Sequence, residues 1–232
     1  MQEQSYGYYL GSDEVGRGCI AGPLVCCSVL LPFSEKHEFL RKLEDIGVRD
    51  SKKLTSLRRK NIAEDIAGAS FFENTFSARS ARKKNYYFYK KILPNVIIAV
   101  SVICVDFIER HNILKSSLYG MRKSGRLIIE NNKSLSQEKV FWGVDGNKVW
   151  SQRKNKDVVI KPIIKGDSKV RAIGAASIIA KYFRDKLMTE LSEDYLGYGF
   201  EKHFGYPTEF HRTSIKRLGA STIHRESFKL LK

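Results

Sequence analysis

The sequence is poor in cysteine, and its cysteines lack the spacing of a metal site. Four are present among 232 residues: Cys19, Cys26, Cys27 and Cys104. Two of them are neighbours inside an apolar run, so we expect small buried thiols rather than a disulfide framework. Unpaired thiols are typical of a reducing compartment, which favours a cytoplasmic protein.

Long hydrophobic runs are also absent. The longest apolar run, at 96–105, contains Ser101 and is far shorter than the roughly 20 residues that cross a bilayer. Residues 1–5 show no basic region followed by an apolar stretch, so no signal peptide is predicted. We therefore expect a soluble protein with no membrane partner.

Acidic residues are outnumbered by basic ones. Lysine and arginine total 41 against 25 aspartates and glutamates, which gives a formal net charge of +16 and a pI near 9.7. This excess favours a polyanionic partner, although a solvated basic surface or a compositional bias of the source genome would also produce it. Hydrophobic residues make up 42% of the chain, enough for one sizeable domain over 1–232.

Apolar runs alternate with helical patterns along the chain. Strands are predicted at 6–12, 24–31, 96–105, 140–144 and 158–164. Helices are predicted at 35–46, at 55–67 with Thr55 as N-cap, as a consecutive pair at 106–130, and at 169–191 with Ser168 as N-cap. This alternation indicates an α/β fold.

Carboxylates lie at the ends of three predicted strands, each beside glycine or a small residue. Asp13 and Glu14 end the first strand, Asp145 follows the fourth and Asp167 follows the fifth. Each alone also fits an ordinary turn or helix N-terminus. In an open α/β sheet such groups gather at one edge, where they would repel each other unless cations lay among them. Two Mg²⁺ ions about 4 Å apart would be neutralised by this set and would bind both reacting oxygens of a phosphodiester.

Whether Glu14 reaches the same site as Asp13 depends on where the strand ends. Neighbouring residues on a strand point to opposite faces, so both reach one site only if the strand ends there. The turn that follows, Gly16-Arg17-Gly18, pairs close backbone approach with a planar, permanently charged phosphate ligand. A metal site and a phosphate contact within six residues predict phosphodiester chemistry.

Seven segments, in order, carry a family resemblance. They are GSDEVGRG at 11–18 with AGP at 21–23, DSKKL at 50–54, VDGN at 144–147, KGDSK at 165–169, AASIIAK at 175–181 with RD at 184–185, YGF at 198–200 with His203 and GYPT at 205–208, and HRESF at 224–228. With these segments the chain resembles bacterial ribonuclease HII, the type 2 ribonuclease H family, over nearly its whole length.

The resemblance implies a ribonuclease H-like mixed sheet of about five strands flanked by helices, with extra C-terminal helices in a substrate-contacting part at about 192–232. It implies a catalytic, metal-binding set of Asp13, Glu14, Asp145 and Asp167 with two Mg²⁺ or Mn²⁺ ions. It implies hydrolysis of the phosphodiester 5′ of a ribonucleotide embedded in duplex DNA, and of the RNA strand of RNA–DNA hybrids, leaving 3′-hydroxyl and 5′-phosphate ends.

Substrate recognition is implied for Gly16, Arg17, Gly18 and Tyr206. Further phosphate contacts are expected from basic residues in the matching segments, namely Lys52, Lys53 and Lys165. Phe204 stands where the family often has lysine, which removes one possible phosphate contact. We expect a monomer, and the C-terminal residues 227–232 show no clear motif for binding a sliding clamp.

The segment at 69–94 is unusually aromatic and basic for the family. It is either a local hydrophobic patch with a solvated basic face, which we favour, or an added duplex-binding surface.

Two other functions compete with ribonuclease HII activity. A type 3 ribonuclease H typically has a separate N-terminal domain and lacks the arginine found here as Arg17. A non-catalytic nucleic-acid-binding protein of this fold would have lost an acid, and all four are present.

Overall fold

The computed structural model describes residues 6–33, 38–45, 47, 54–73, 80–132, 135, 137–151 and 157–231. Its strands are β1 (Tyr8–Val15), β2 (Leu24–Pro32), β3 (Tyr86–Leu93), β4 (Val96–Ile103), β5 (Val140–Asp145) and β6 (Val158–Ile163). Its helices are α1 (Glu38–Asp45), α2 (Ser56–Ala67), α3 (Ser80–Lys83), α4 (Val105–His111), α5 (Ile113–Glu130), α6 (Gly166–Lys169), α7 (Arg171–Asp194), α8 (Phe200–His203) and α9 (Glu209–Leu218).

All six strands form one mixed sheet in the order β3-β4-β2-β1-β5-β6. Neighbours from β3 to β1 are antiparallel, whereas β5 pairs in parallel with both β1 and β6. The predicted α/β class and mixed sheet are confirmed, with one strand more than the five expected. The additional strand is β3, at an edge of the sheet, where inward and outward side chains alternate in burial.

One long helix covers each face of the sheet. On one face α7 buries its stretch Ala172–Ala180 almost completely, as its apolar sequence predicts. The helix approaches β1 so closely that a Cβ on Gly11 would lie 2.4 Å from the backbone of Ala172. On the other face α5 packs Gly120 against Cys26, where a Cβ would lie 2.5 Å from the sulfur. Small residues therefore set the layer spacing on both faces.

Local predictions have mixed outcomes. Thr55 caps α2 as predicted, because its hydroxyl accepts a hydrogen bond from the amide of Arg58 at 3.2 Å. The prediction of Ser168 as the N-cap of the long helix is wrong. That helix begins at Arg171 after Val170, and Ser168 lies inside the short α6, where its hydroxyl donates to the Lys165 carbonyl. All four cysteines are buried and unbridged, as predicted.

The phenylalanines and tyrosines of 69–94 have separate environments. Phe71 and Phe72 are buried against Phe183 of α7, as a hydrophobic patch requires. Tyr87 and Tyr89 of β3 instead point to the other face of the sheet and are exposed. In the described part of the chain, none of the helices has the length and apolar character that a membrane crossing needs.

Candidate active site

Asp13 and Glu14 lie on opposite faces of β1 close to its end. Asp13 is opposite Cys27, in the core beneath α7, and its carboxylate interacts with the Ser177 hydroxyl of that helix. Glu14 is opposite Cys26, in the core beneath α5. The difficulty that alternation posed for this pair is therefore real. Both side chains nevertheless interact by charge with a third carboxylate at the end of the neighbouring strand.

That third carboxylate is Asp145, the last residue of β5. Because β5 runs parallel to β1 with Val144 beside Ser12, Asp145 comes level with Asp13. One of its oxygens accepts a hydrogen bond of 2.7 Å from the amide of Gly166. A Cβ on Gly166 would lie 3.2 Å from that oxygen, so this glycine leaves room for the contact.

The three carboxylates are close enough to shift one another's protonation. Burial raises the pKa of Asp13 well above its usual value, and the charges of Glu14 and Asp145 raise it further. Burial also raises the pKa of Glu14; Arg17, 3.0 Å away, opposes that shift, whereas Asp145 adds to it. The second oxygen of Glu14 is buried without a hydrogen-bond partner. A desolvated anionic cluster with an unpartnered oxygen is an environment that a divalent cation stabilises.

Asp167 is buried at the same edge of the sheet, in α6 just after β6. Its carboxylate accepts a hydrogen bond of 3.0 Å from the amide of Ser168. The residue just before it, Gly166, is the one whose amide donates to Asp145. Among the described residues no three acidic, histidine or cysteine side chains are close enough to form a ready-made metal cluster. The acids are thus brought to one edge, with Asp13, Glu14 and Asp145 coupled by charge.

Two buried arginines hold the loop that carries the Gly-Arg-Gly turn. Arg225 donates to the carbonyls of Gly16, Cys19 and Gly22 at 2.7–3.0 Å, and to that of Arg17 at 3.4 Å. Burial lowers its pKa to about 9, so the side chain remains charged at neutral pH. This positioning residue was missed from the sequence because its acceptors are backbone groups more than 200 positions away.

Arg184 of α7 supports the other end of the same loop. It donates to the carbonyls of Ala21 and Pro23 and, at 2.7 Å, to that of Phe204. The Phe204 carbonyl belongs to the segment leading to Tyr206. A single side chain therefore ties the loop after β1 to the C-terminal part of the chain.

The two glycines of the turn have different reasons to be glycine. Gly16 has a φ of +101°, and a Cβ there would lie 2.3 Å from Arg184. The fold itself requires this glycine. A Cβ on Gly18 would meet nothing within 4 Å, and Gly18 is exposed. The fold does not require glycine at this position, so any requirement comes from a molecule that approaches it.

Tyr206 lies beside this loop. The amide of Ile20 donates to the Gly205 carbonyl at 2.9 Å, which joins the two turns. The Tyr206 ring is half-buried near the Lys181 ammonium, 5.3 Å from its centroid. Burial is the main cause that raises the pKa of Tyr206, and the nearby Cys19 raises it further. The Tyr206 hydroxyl is therefore protonated at neutral pH.

Three buried histidines orient the Tyr206 turn. The Ser221 amide donates to Nδ1 of His224, the two Nε2 atoms of His224 and His211 are 3.1 Å apart, and Nδ1 of His211 is 2.8 Å from the Tyr206 carbonyl. Because the Tyr206 carbonyl can only accept, Nδ1 of His211 carries a proton and its Nε2 accepts from Nε2 of His224. Each of the two imidazole rings therefore carries one proton and is neutral. Nδ1 of His203 likewise accepts from the Gly205 amide.

Comparison with known proteins decides the family. A model of the ribonuclease HII family matches residues 10–231. The chain belongs to the ribonuclease HII family. It is 37% identical to ribonuclease HII of Chlorobium phaeobacteroides over 222 residues, which cover 95% of this chain and 89% of that protein. It is 35% identical to the Fusobacterium nucleatum protein of the same name over 230 residues, 98% of this chain and 88% of that one. The predicted resemblance is confirmed, and as a ribonuclease HII family member the chain is a ribonuclease H endonuclease.

Solved structures share the fold at lower identity. The ribonuclease HII in a PCNA complex from Archaeoglobus fulgidus aligns with a TM-score of 0.64 at 23% identity, covering 97% of this chain and 96% of that one. Ribonuclease H2 from Pyrococcus horikoshii gives 0.58 at 23% identity, covering 96% and 94%. A Bst-RNase HIII variant gives 0.63 at 19% identity, covering 97% of this chain and 68% of that one. These likenesses establish the ribonuclease H fold.

The predicted phosphate ligands of this ribonuclease HII family member fall into three groups. Arg17 is exposed and paired with Glu14. Lys165 is exposed in a left-handed conformation, with a φ of +56°, between β6 and α6. Lys52 and Lys53 lie outside the described residues, so their predicted role stays a prediction.

Proposed function

We propose that the chain hydrolyses the phosphodiester 5′ of a ribonucleotide embedded in duplex DNA, and the RNA strand of RNA–DNA hybrids. The observation that carries this proposal is the open space at Gly18 beside the coupled carboxylates. The fold fixes Gly16 and the loop around it, yet leaves Gly18 exposed with room for close backbone approach. Only the 2′-hydroxyl distinguishes RNA from DNA at one nucleotide, and a glycine backbone can approach it without a side-chain clash.

The acidic set is proposed to hold two divalent cations, Mg²⁺ or Mn²⁺. Asp13, Glu14 and Asp145 would be the ligands nearest each other, with Asp167 completing the set. A related RNase HIII has been solved in complex with Mn²⁺. Such ions, when bound, polarise the phosphate and favour hydroxide at neutral pH. The unpartnered oxygen of Glu14 and the raised pKa of Asp13 support this assignment, since a cation offsets both costs.

The reaction is a hydrolysis at phosphorus. A bond forms between water oxygen and phosphorus, and the bond from phosphorus to the 3′ oxygen of the preceding nucleotide breaks. The proton lost by water balances the proton gained by that oxygen, which leaves a 3′-hydroxyl and a 5′-phosphate. Arg17 is proposed to bind the phosphate, and Tyr206 to stack on the adjacent sugar or base. We further propose a cytoplasmic monomer as the active form.

Three substrates and three variants test this function. Duplexes with one ribonucleotide, with a long RNA–DNA hybrid and with DNA alone are incubated with and without Mg²⁺ or Mn²⁺. Metal-dependent cleavage of the first two is expected, and the DNA duplex should remain intact. Asp145→Asn should abolish cleavage and retain duplex binding; near-normal turnover would reject the site. Tyr206→Phe should be milder than Tyr206→Ala, since the ring face survives.

A further inference from the structure

A basic groove opens between the edge strand β3 and helix α5. It has a volume of about 280 Å³ and includes Tyr87 of β3 together with Tyr119, Arg122, Lys123, Arg126 and Glu130 of α5. The α5 members recur at intervals of three and four residues, so they form one stripe along the helix. Three cations against one carboxylate make this groove complementary to a polyanion.

The cations in the groove are available to a ligand. Within the described part of the chain, Arg126 forms an ion pair with Glu130 at 3.8 Å, whereas Arg122 and Lys123 form none. The Lys123 ammonium lies 5.7 Å from the centre of the Tyr87 ring. The hydroxyls of Tyr87 and Tyr119 are 3.1 Å apart and line the groove wall.

The groove is in register with the carboxylate site. Glu14 is paired with Cys26, Cys26 with Ser101 and Ser101 with Tyr87 across four neighbouring strands. Directly paired residues point to the same face, so Tyr87 and Glu14 share the α5 face of the sheet. Three strand spacings separate them, which is about 14 Å. That distance equals about four base-pair steps of one DNA strand.

We propose that the basic groove binds the phosphodiester backbone of the substrate duplex about four base pairs from the cleaved bond. The inference rests on the proposed function for its substrate. The planar guanidinium groups of Arg122 and Arg126 match phosphate geometry, and Lys123 adds a mobile charge. The groove serves as a second point of contact that orients the duplex over the carboxylates. This position differs from 82–84, where Arg82 pairs with Asp106 and donates to the Thr222 carbonyl as part of the fold.

The test compares two double variants that each remove two positive charges. Arg122→Gln/Lys123→Gln alters the groove, and Lys139→Gln/Lys161→Gln removes two exposed lysines near the opposite edge of the sheet. Binding of a ribonucleotide-containing duplex is measured against salt without divalent cation. Each lost phosphate contact makes the slope of log affinity against log salt less steep by about 0.9. The groove variant should lose about 1.8 in slope, and the control should keep the parent slope.

Duplex length gives a second readout. The parent should bind more tightly when the duplex extends eight rather than two base pairs past the ribonucleotide on the side that reaches the groove. The groove variant should lose that gain. Equal slopes for groove and control variants would overturn the proposal, as would a retained length dependence. Arg126→Gln, at a more exposed position, repeats the test if the double variant is unstable. If the parent cuts none of the substrates with metal, the proposed function fails, whatever the binding slopes show.

Discussion

Replacing Arg225 by methionine should destabilise the fold strongly. The guanidinium is fully buried and makes five hydrogen bonds to four carbonyls of residues 16–22. Hydrogen bonds from a charged donor contribute about 1.5–3 kcal/mol each. Removing the charge also removes its desolvation cost, and carbonyls near exposed Arg17 can bind water instead. The net loss in unfolding free energy should therefore be about 3–5 kcal/mol.

Urea unfolding followed by circular dichroism measures this loss. The matched control is Arg217→Met on α9, where the side chain is exposed and makes one hydrogen bond of 3.3 Å to Gly197; its loss should stay below about 1 kcal/mol. Arg225→Lys keeps the charge but cannot reach all four carbonyls, so its loss should be intermediate. A loss below about 1 kcal/mol for Arg225→Met, or parent stability for Arg225→Lys, would refute the reasoning.

The remaining predictions concern charge, glycine and pH. Asp13→Asn should abolish cleavage. Without metal at pH 8 it should also raise the unfolding free energy by about 1 kcal/mol, because it removes a buried charge that Glu14 and Asp145 repel. Unchanged or lower stability would contradict repulsion among these three carboxylates. Gly18→Ala should leave the melting temperature unchanged and slow cleavage at a lone ribonucleotide, whereas Gly16→Ala should lower the melting temperature because of its φ and the nearby Arg184. Burial lowers the pKa of His224 to about 4 and that of His211 to about 3, below the unfolded value near 6.5. The unfolded chain therefore binds more protons below pH 6.5, and the unfolding free energy should fall from there toward pH 4 by about 1.4 kcal/mol per pH unit and histidine; a pH-independent unfolding free energy across that window would show that these histidines are not held neutral.

The buried strands and the acid positions could be predicted from the sequence because each depends on local pattern. The continuous apolar run of β2 predicts burial on both faces, and the structure has it so. Strand β3 was missed, although Tyr86–Leu93 alternates in burial, because its aromatic and lysine residues do not alternate in polarity. Periodicity fails where long amphipathic side chains occupy both faces of an edge strand.

The supports of the site could not be predicted in the same way. Arg184 and Arg225 bind backbone carbonyls, and an acceptor that every residue carries leaves no signal in the sequence. His203, His211 and His224 are buried in hydrogen-bonded positions. The proton chain through His224 and His211 depends on three segments meeting in space, which spacing along the chain does not encode.

The arrangement of the acids explains why the loop after β1 needs such rigid support. The side chains of Asp13 and Glu14 point to opposite faces of β1. They can therefore reach one substrate only where the strand ends and the chain turns at Gly16. Repulsion among buried carboxylates favours movement of that strand end away from Asp145. Arg225 opposes this movement, since four carbonyls of the turn would lose their donor together. Hydrogen bonds remote from the reacting groups thus keep the mutually repelling acids at one edge, where a cation can bind them.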